Sequence, residues 1–400
     1  MNEEHQKSSF RKGLIAGILM TAAIAAVVFA CLGTFGKSSS LFSSSDEVLT
    51  SDTKTKLETL EALVSKYYLH DYTTADMQNG LYEGLINGLG DKYTVYYDEE
   101  ETKALNEMTS GTYSGIGAVL SQDKTTGVIT ILTVYKDSPA EEAGIQNGDI
   151  LYKVDGTEVT NRDLTDVVKD IKGEEGTDVK LTLYRDSTEV EVTAVRRSIE
   201  IQTVDYEMKD GSIGYIKVSE FEEVTLDQFK AALSDLEGQG MKGLVIDLRD
   251  NPGGNVDTVC DMLDQLLPKG LIVYTQDKNG KITNYNSAGD DTFGLPLTVL
   301  VNGNSASASE IFAGAVQDRQ IGTVVGTTTY GKGVVQSIID LQDGTSLKVT
   351  IAEYYTPNGR NIDGIGITPD VEVENDTSAS ADGAADAQLD KALEIIRNAM

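Results

Sequence analysis

Three short segments carry residue types that could do chemistry. In Asn304-Ser305-Ala306-Ser307-Ala308-Ser309-Glu310-Ile311, serines alternate with alanines directly after an apolar run at 297–301. A strand-to-helix junction there would expose a side chain at a sheet edge, with unpaired helix N–H groups available to an oxyanion. A serine exposed there would then be a candidate nucleophile. The same spacing, Ser307-x-x-Glu310 before an apolar run, is also a capping box that only starts a helix, and the segment alone favours the cap. In Tyr330-Gly331-Lys332-Gly333-Val334-Val335-Gln336 the glycines let Lys332 approach other backbone, and the valines could desolvate it. Burial lowers a lysine pKa and makes the free amine a competent base. If 332–336 is a strand, Lys332 and Gln336 share a face, and Gln336 could orient the amine. A solvated lysine on a surface hairpin is the plainer reading. The third segment, Asp247-Leu248-Arg249-Asp250-Asn251-Pro252-Gly253-Gly254-Asn255, reads as a strand ending in exposed N–H groups, or simply as a tight turn.

Composition narrows what these segments can be. With 2 His and 2 Cys in 400 residues, a His-based triad, a multi-His metal site or a disulfide framework is hard to assemble, so no metal and no cofactor are expected. His70 falls between two helical stretches, where a surface or capping role fits best. A net charge of −31 argues against a nucleic-acid partner.

The elements that must position these segments follow from periodicity. Residues 13–33 are 21 residues without a charge, enough to span about 30 Å of hydrocarbon, and Lys7, Arg11 and Lys12 precede them. This reads as a single transmembrane anchor that leaves the rest of the chain outside the membrane. A cleaved signal peptide is the competing reading, although its apolar core is usually only about 7–15 residues. Ala30-Cys31 faintly suggests lipidation. Residues 34–45 are a Ser-rich tether. Leu57, Leu60, Leu63, Val64 and Tyr67 share a helical face, and a second helix follows through 80–86. Residues 111–197 alternate short strands (128–134, 179–184) with turns and a helix at 165–172. From 198 to 372, strands at 214–221, 243–248 and 297–301 alternate with helices at 226–236, 256–267 and 307–317, which argues for an α/β layered core. Residues 375–388 read as an acidic linker before a short helix at 389–399.

Two resemblances join these pieces. Ser138-Pro139-Ala140-Glu141-Glu142-Ala143-Gly144-Ile145, with Asn147-Gly148-Asp149-Ile150-Leu151 after it, resembles the centre of a PDZ domain. Gly115-Ile116-Gly117 stands where that family binds a chain-terminal carboxylate, with the peptide adding as a strand to the sheet edge. The three chemical segments, in their order, resemble the carboxyl-terminal processing peptidases, also called tail-specific proteases. The likeness rests on Asp247-Leu248-Arg249-x-Asn251-x-Gly253-Gly254, on Ser305 to Ile311, and on Gly331-Lys332-Gly333-x-x-Gln336. Tyr354 to Ile362 and Thr368-Pro369-Asp370 extend it, so that it covers about residues 55–372. It implies a clp/crotonase-like α/β core with an inserted-type PDZ domain. Ser307 matches the nucleophile, Lys332 the general base and Gln336 the residue holding that lysine. The oxyanion donors match the N–H of Ala308 and of Gly253, with Gly254 as the neighbouring alternative. Where the family often has Arg-Gly-x-x-Gly late in the PDZ domain, this chain has Lys172-Gly173-Glu174-Glu175-Gly176, which keeps the charge and loses the bidentate fork.

The expected order is therefore a cytoplasmic N-terminus (1–12), a transmembrane signal-anchor (13–33), a flexible linker (34–50) and a helical N-terminal region (51–110). The PDZ domain (111–197), serine protease core (198–372), acidic linker (373–388) and C-terminal helix (389–400) follow. The expected activity is that of a cell-envelope serine endopeptidase, held in a bacterial-type membrane with its catalytic domain outside. It would recognise apolar C-terminal tails of protein substrates and cleave through an acyl-enzyme. Family analogy adds a homodimer. The alternative is a catalytically silent, membrane-tethered PDZ adaptor. An acyl-CoA enzyme on the same fold is disfavoured, because an acidic extracytoplasmic chain offers no patch for the phosphates.

Overall fold

The computed structural model describes residues 47–289, 293–375 and 386–400. The apolar run 13–33 and most of the two linkers lie outside the described residues. Among the described residues, no helix is long and apolar enough to cross a membrane. By internal contacts the chain divides into Met1–Met77 and Gln78–Met400. In the first unit Thr50 caps the helix Ser51–Tyr67, its hydroxyl accepting from Thr53 N–H, and no residue of this helix is buried. The helix Thr74–Asn87 begins in the first unit and ends in the second.

In the second unit, the site is carried by a six-stranded sheet. Its order is Val204–Lys209, Ile213–Val218, Gly243–Asp247, Leu297–Val301, Thr323–Gly326 and Val371–Glu372. The first pair is antiparallel and the remaining neighbours are parallel. Every residue of Gly243–Asp247 and Leu297–Val301 is buried, as expected of strands covered on both faces. Alternation sends Leu244, Ile246, Val299 and Val301 to one side, where they pack with Phe229, Met262 and Phe312 of the helices Thr225–Gly238, Val256–Asp264 and Ala308–Asp318. Val245 and Leu300 face the other side and meet Leu393 and Ile396 of the helix Ala387–Ala399. The C-terminal helix, expected as a short helix after the acidic linker, thus supplies one layer of the core.

A second, antiparallel sheet was not anticipated. It runs Val95–Tyr97, Ser346–Tyr355, Gly270–Asp277, Ile282–Ser287, with Val334–Asp340 on the other edge of Ser346–Tyr355. The expected boundary at 110 therefore assigns to the helical region a strand, Val95–Tyr97, that pairs with the core. The expected strand at 332–336 begins only at Val334, and its ladder shifts register between Val335 and Gln336. Lys332 lies before the strand, so alternation does not bring it onto the same face as Gln336.

The region expected to be a PDZ domain has its own sheet, in the order Ala118–Gln122, Ile129–Val134, Ile150–Val154, Asp178–Arg185, Thr188–Val195. Ile131, Leu181 and Leu183 pack there with Val167 and Ile171 of the helix Leu164–Ile171. Its entry strand Thr112–Gly115 pairs with its exit strand Arg197–Glu200, so both ends of the domain leave through one antiparallel ladder.

Candidate active site

Ser307 stands between the strand Leu297–Val301 and the helix Ala308–Asp318, with φ 54° and ψ −112°. A non-glycine residue at positive φ is uncommon and carries backbone strain, which surrounding contacts must hold in place. Those contacts come from the neighbouring serines. Ser305 is buried and its hydroxyl donates to the Leu248 carbonyl at 2.7 Å. Ser309, also buried, donates to the Asn251 carbonyl at 3.0 Å, and Ala306 N–H donates to the same oxygen at 3.0 Å. The outer two serines therefore fasten the junction to the Asp247–Gly254 turn. The middle one is partly exposed, and its hydroxyl faces the Glu310 N–H across the helix start without making a hydrogen bond to it.

In this geometry the two readings of Ser307-x-x-Glu310 do not exclude each other. The Glu310 carboxylate accepts from Ser307 N–H at 2.8 Å, which is the glutamate half of a capping box. The Glu310 amide donates to the Ser307 carbonyl at 2.8 Å. The cap thus uses the backbone of Ser307 and leaves its Oγ uncommitted.

Lys332 is half-buried, and the glycines beside it are there for close approach. A Cβ on Gly331 would lie 2.9 Å from Ile365 N, and one on Gly333 would lie 2.5 Å from Asp363 N. The ammonium nitrogen is 4.9 Å from the centroid of the Tyr93 ring. Burial pulls the Lys332 pKa down, the positive charges of Lys348 and Lys92 pull it further, and the Glu310 carboxylate opposes them. Tyr93 is placed by an Asp91 turn. Asp91 accepts from Tyr93 N–H at 3.0 Å and from the Thr94 hydroxyl at 2.6 Å, and Thr94 in turn accepts from Thr350 N–H at 3.1 Å. Lys92 donates to the Tyr330 hydroxyl at 3.2 Å on the same rim.

Not every expected partner is in contact. No hydrogen bond joins Ser307 Oγ to Lys332 Nζ among the described residues. The Gln336 amide bonds the Thr350 hydroxyl at 3.4 Å rather than Lys332. Gly253 N–H donates to Asn251 Oδ1 at 2.8 Å, inside the turn that Asn251 closes, so it is not free for an oxyanion. The N–H groups of Ala308 and Gly254 have no described acceptor. Gly253 still abuts Ser307, since a Cβ there would come within 2.8 Å of Ser307 Cβ and 3.1 Å of Ala308 N. Asn251 is fully buried and its amide donates to the Val218 carbonyl at 2.9 Å. Among the described residues, no group of three or more His, Cys, Asp or Glu is placed to hold a metal ion.

The Asp-Leu-Arg end of the strand Gly243–Asp247 is an anchor. Asp247 is buried, accepts from the Tyr215 hydroxyl at 2.8 Å and pairs with Arg249. Arg249 also reaches Asp386, the cap of the C-terminal helix, at 2.8 Å. In the region expected to be a PDZ domain, Gly117 at φ 75° turns the chain so that the N–H groups of Ile116 and Gly117 have no described acceptor. They border a cavity of about 110 Å3 lined by Tyr113, Leu120, Val168 and Ile171. Lys172 closes one side, paired with Glu107 at 2.7 Å and lying 4.7 Å from the Tyr113 ring centroid.

Comparisons with known proteins cover both regions of the chain. The profile of peptidase family S41 matches residues 212–373, and that of the PDZ domain matches 130–185. A probable CtpA-like serine protease of Staphylococcus haemolyticus is 36% identical over 367 residues, covering 90% of this chain and 71% of that protein. The chain belongs to peptidase family S41. A carboxy-terminal-processing protease of Bartonella bacilliformis is 38% identical over 314 residues, covering 76% of this chain and 72% of its own length. A solved S41 protease from Bacteroides fragilis shares the fold, with a TM-score of 0.50 at 19% identity over 80% of this chain and 90% of that one. The chain is thus a serine peptidase of the C-terminal-processing kind with a PDZ domain. Tyr93 and Glu310 are the contacts of Lys332 that the motif order did not announce.

Proposed function

We propose that this S41 peptidase cleaves peptide bonds with Ser307 as nucleophile and Lys332 as general base. The observation that carries the reading is the uncommitted Ser307 hydroxyl at a strained junction whose flanking serines are both buried and bonded. The Lys332 amine takes the proton as Ser307 Oγ attacks the carbonyl carbon. The tetrahedral oxyanion is received by the N–H groups of Ala308 and Gly254, the latter replacing Gly253 because Asn251 occupies the Gly253 donor. The Lys332 ammonium then protonates the departing amine, leaving an acyl-enzyme that water hydrolyses with Lys332 again as base. For Gln336 to hold the amine, its side chain has to leave Thr350.

Substrates on this reading are proteins with an apolar C-terminal tail held by the PDZ groove. The run 13–33 tethers the chain to a bacterial-type cell membrane with its catalytic domain outside, which protease accessibility in intact cells tests. The apolar stripe Leu60, Leu63, Tyr67, uncovered in the helix Ser51–Tyr67, suits a homodimer, which light scattering tests. In the purified full chain, Ser307→Ala should lower cleavage of a tailed unfolded protein by about 10,000-fold or more with the fold intact. The absence of an Oγ–Nζ hydrogen bond favours a second reading, a silent PDZ adaptor. Tail binding without any cleavage by the wild type would establish that reading instead.

A further inference from the structure

Two buried side chains grip the backbone of both reacting residues. Glu310 is fully buried, and one of its oxygens accepts from Ser307 N–H at 2.8 Å and from Lys332 N–H at 2.9 Å. The other accepts from the Thr329 hydroxyl at 2.6 Å and from Gly331 N–H at 2.7 Å. Donors at both oxygens make a fully buried carboxylate tolerable. Tyr354, 1% exposed on the strand Ser346–Tyr355, approaches from the opposite polarity. Its hydroxyl donates to the Lys332 carbonyl at 2.5 Å, with the Ser307 carbonyl at 3.1 Å as a second acceptor of the same proton. The Ser307 carbonyl is also held by the Glu310 and Ile311 amides, whereas no other described donor reaches the Lys332 carbonyl.

The consequence is geometric. Ser307 and Lys332 belong to different elements, yet each is held on both sides of its Cα by the same two side chains. Neither Ser307 Oγ nor Lys332 Nζ is consumed in doing so. We propose that Tyr354 is a positioning residue of the reaction, its hydroxyl clamping the peptide units of Ser307 and Lys332 at a set separation, with Glu310 closing the N–H side of the clamp. The proposal rests on the serine–lysine reading above. A nucleophile and base held by two rigid planar groups need little reorganisation before proton transfer. A displacement on the order of 1 Å can cost about 100-fold in rate.

The test is Tyr354→Phe in the full chain, which keeps the ring in its packing and removes only the hydroxyl. With a tailed substrate, kcat should fall about 10- to 100-fold with KM unchanged. The rate at which a fluorophosphonate labels Ser307 should fall by a similar factor, counted per folded molecule. Hydrogen exchange should quicken together in 305–312 and 330–334. Wild-type kcat and labelling rate in Tyr354→Phe overturn the clamp, as does a loss that merely tracks the folded fraction. Should that variant not fold, Glu310→Asp keeps the charge and shortens the reach, and wild-type rates there overturn the clamp equally. Ser307→Ala run in parallel separates the two ideas. Activity surviving in it removes the serine–lysine reading itself, whereas its loss beside an unimpaired Tyr354→Phe removes only the clamp.

Discussion

A lysine can act as a base only while its amine is neutral, so under the proposed mechanism the surroundings of Lys332 set the pH at which the peptidase works. Half-burial removes water that would stabilise the ammonium, and Lys348 and Lys92 add repulsion. The Glu310 carboxylate pulls the other way, as does the face of Tyr93, which attracts the cation once it forms. The balance is a lowered pKa with a partner ready for the charged state, which suits a group that must both take and return a proton. Lys348 can be changed without touching the reacting atoms, since its own hydrogen bond is to the Tyr97 hydroxyl at 2.7 Å. In Lys348→Met the repulsion is lost and the Lys332 pKa rises. The active form is the neutral amine, whose fraction grows with pH, so the acid limb of kcat/KM should move to higher pH while the alkaline plateau holds. A pH profile with a short peptide substrate measures this, and an unmoved limb removes Lys348 from the account.

At the scale of elements, the turn after Gly243–Asp247 is braced from two sides. Arg249 ties it to the capping residue of the C-terminal helix, and residues 220–222 lie against its glycines. Phe221 N–H donates to the Gly253 carbonyl at 2.9 Å, and Asn255 N–H donates to the Phe221 carbonyl at 2.7 Å. A Cβ on Gly254 would meet Phe221 O at 2.3 Å and one on Gly253 would meet Ala306 O at 2.8 Å, which is why two glycines are needed where this turn passes the strand end. Glu222 is buried beside this contact, and burial, with Glu220 next to it, pushes its carboxyl up to about 8. Its folded value lies above the ordinary 4.5, so the folded state holds the proton more tightly. The stability this contributes is complete below the ordinary value and is lost as pH rises through about 8. The thermal midpoint of the wild type should therefore decline across that window and level off above it. Glu222→Gln should remove the decline, with a gap widening by at most about 1.4 kcal/mol per pH unit. Parallel melting curves with and without the substitution would discard the idea if the gap stayed constant with pH.

For the whole molecule, what can be read in the chain is what is encoded locally. The parallel strands are continuous apolar runs, but the serine segment alone reads as a helix cap and the lysine segment alone as a surface hairpin, so Ser307 and Lys332 become legible as candidates only when the three segments are taken in their order. The antiparallel sheet is not legible, because its partners lie far apart: Val95 pairs with Lys348, and Tyr274 with Tyr355. That pairing brings Tyr93 and Tyr354 to the site, and no local pattern announces it. The same cause undid the alignment of Gln336 with Lys332, since the strand start and the bulge at Val335/Gln336 are set by the partner strand. The PDZ groove is legible as a motif but not in its capacity. Its cavity of about 110 Å3 is the size of one aliphatic side chain, with the N–H groups of Ile116 and Gly117 at its edge. If a substrate's last side chain fills that space while its carboxylate meets those donors, tail binding and bond cleavage belong to separate parts of the chain. Val168→Trp fills the cavity from the helix Leu164–Ile171 without approaching Ser307. Denying one aliphatic side chain its burial should raise KM for a tailed protein about 10- to 100-fold. Cleavage of a short peptide without a tail should keep its wild-type kcat/KM. Equal losses on both substrates, or none on either, would mean that the groove does not select the tail, and steady-state kinetics on the matched pair separates these outcomes.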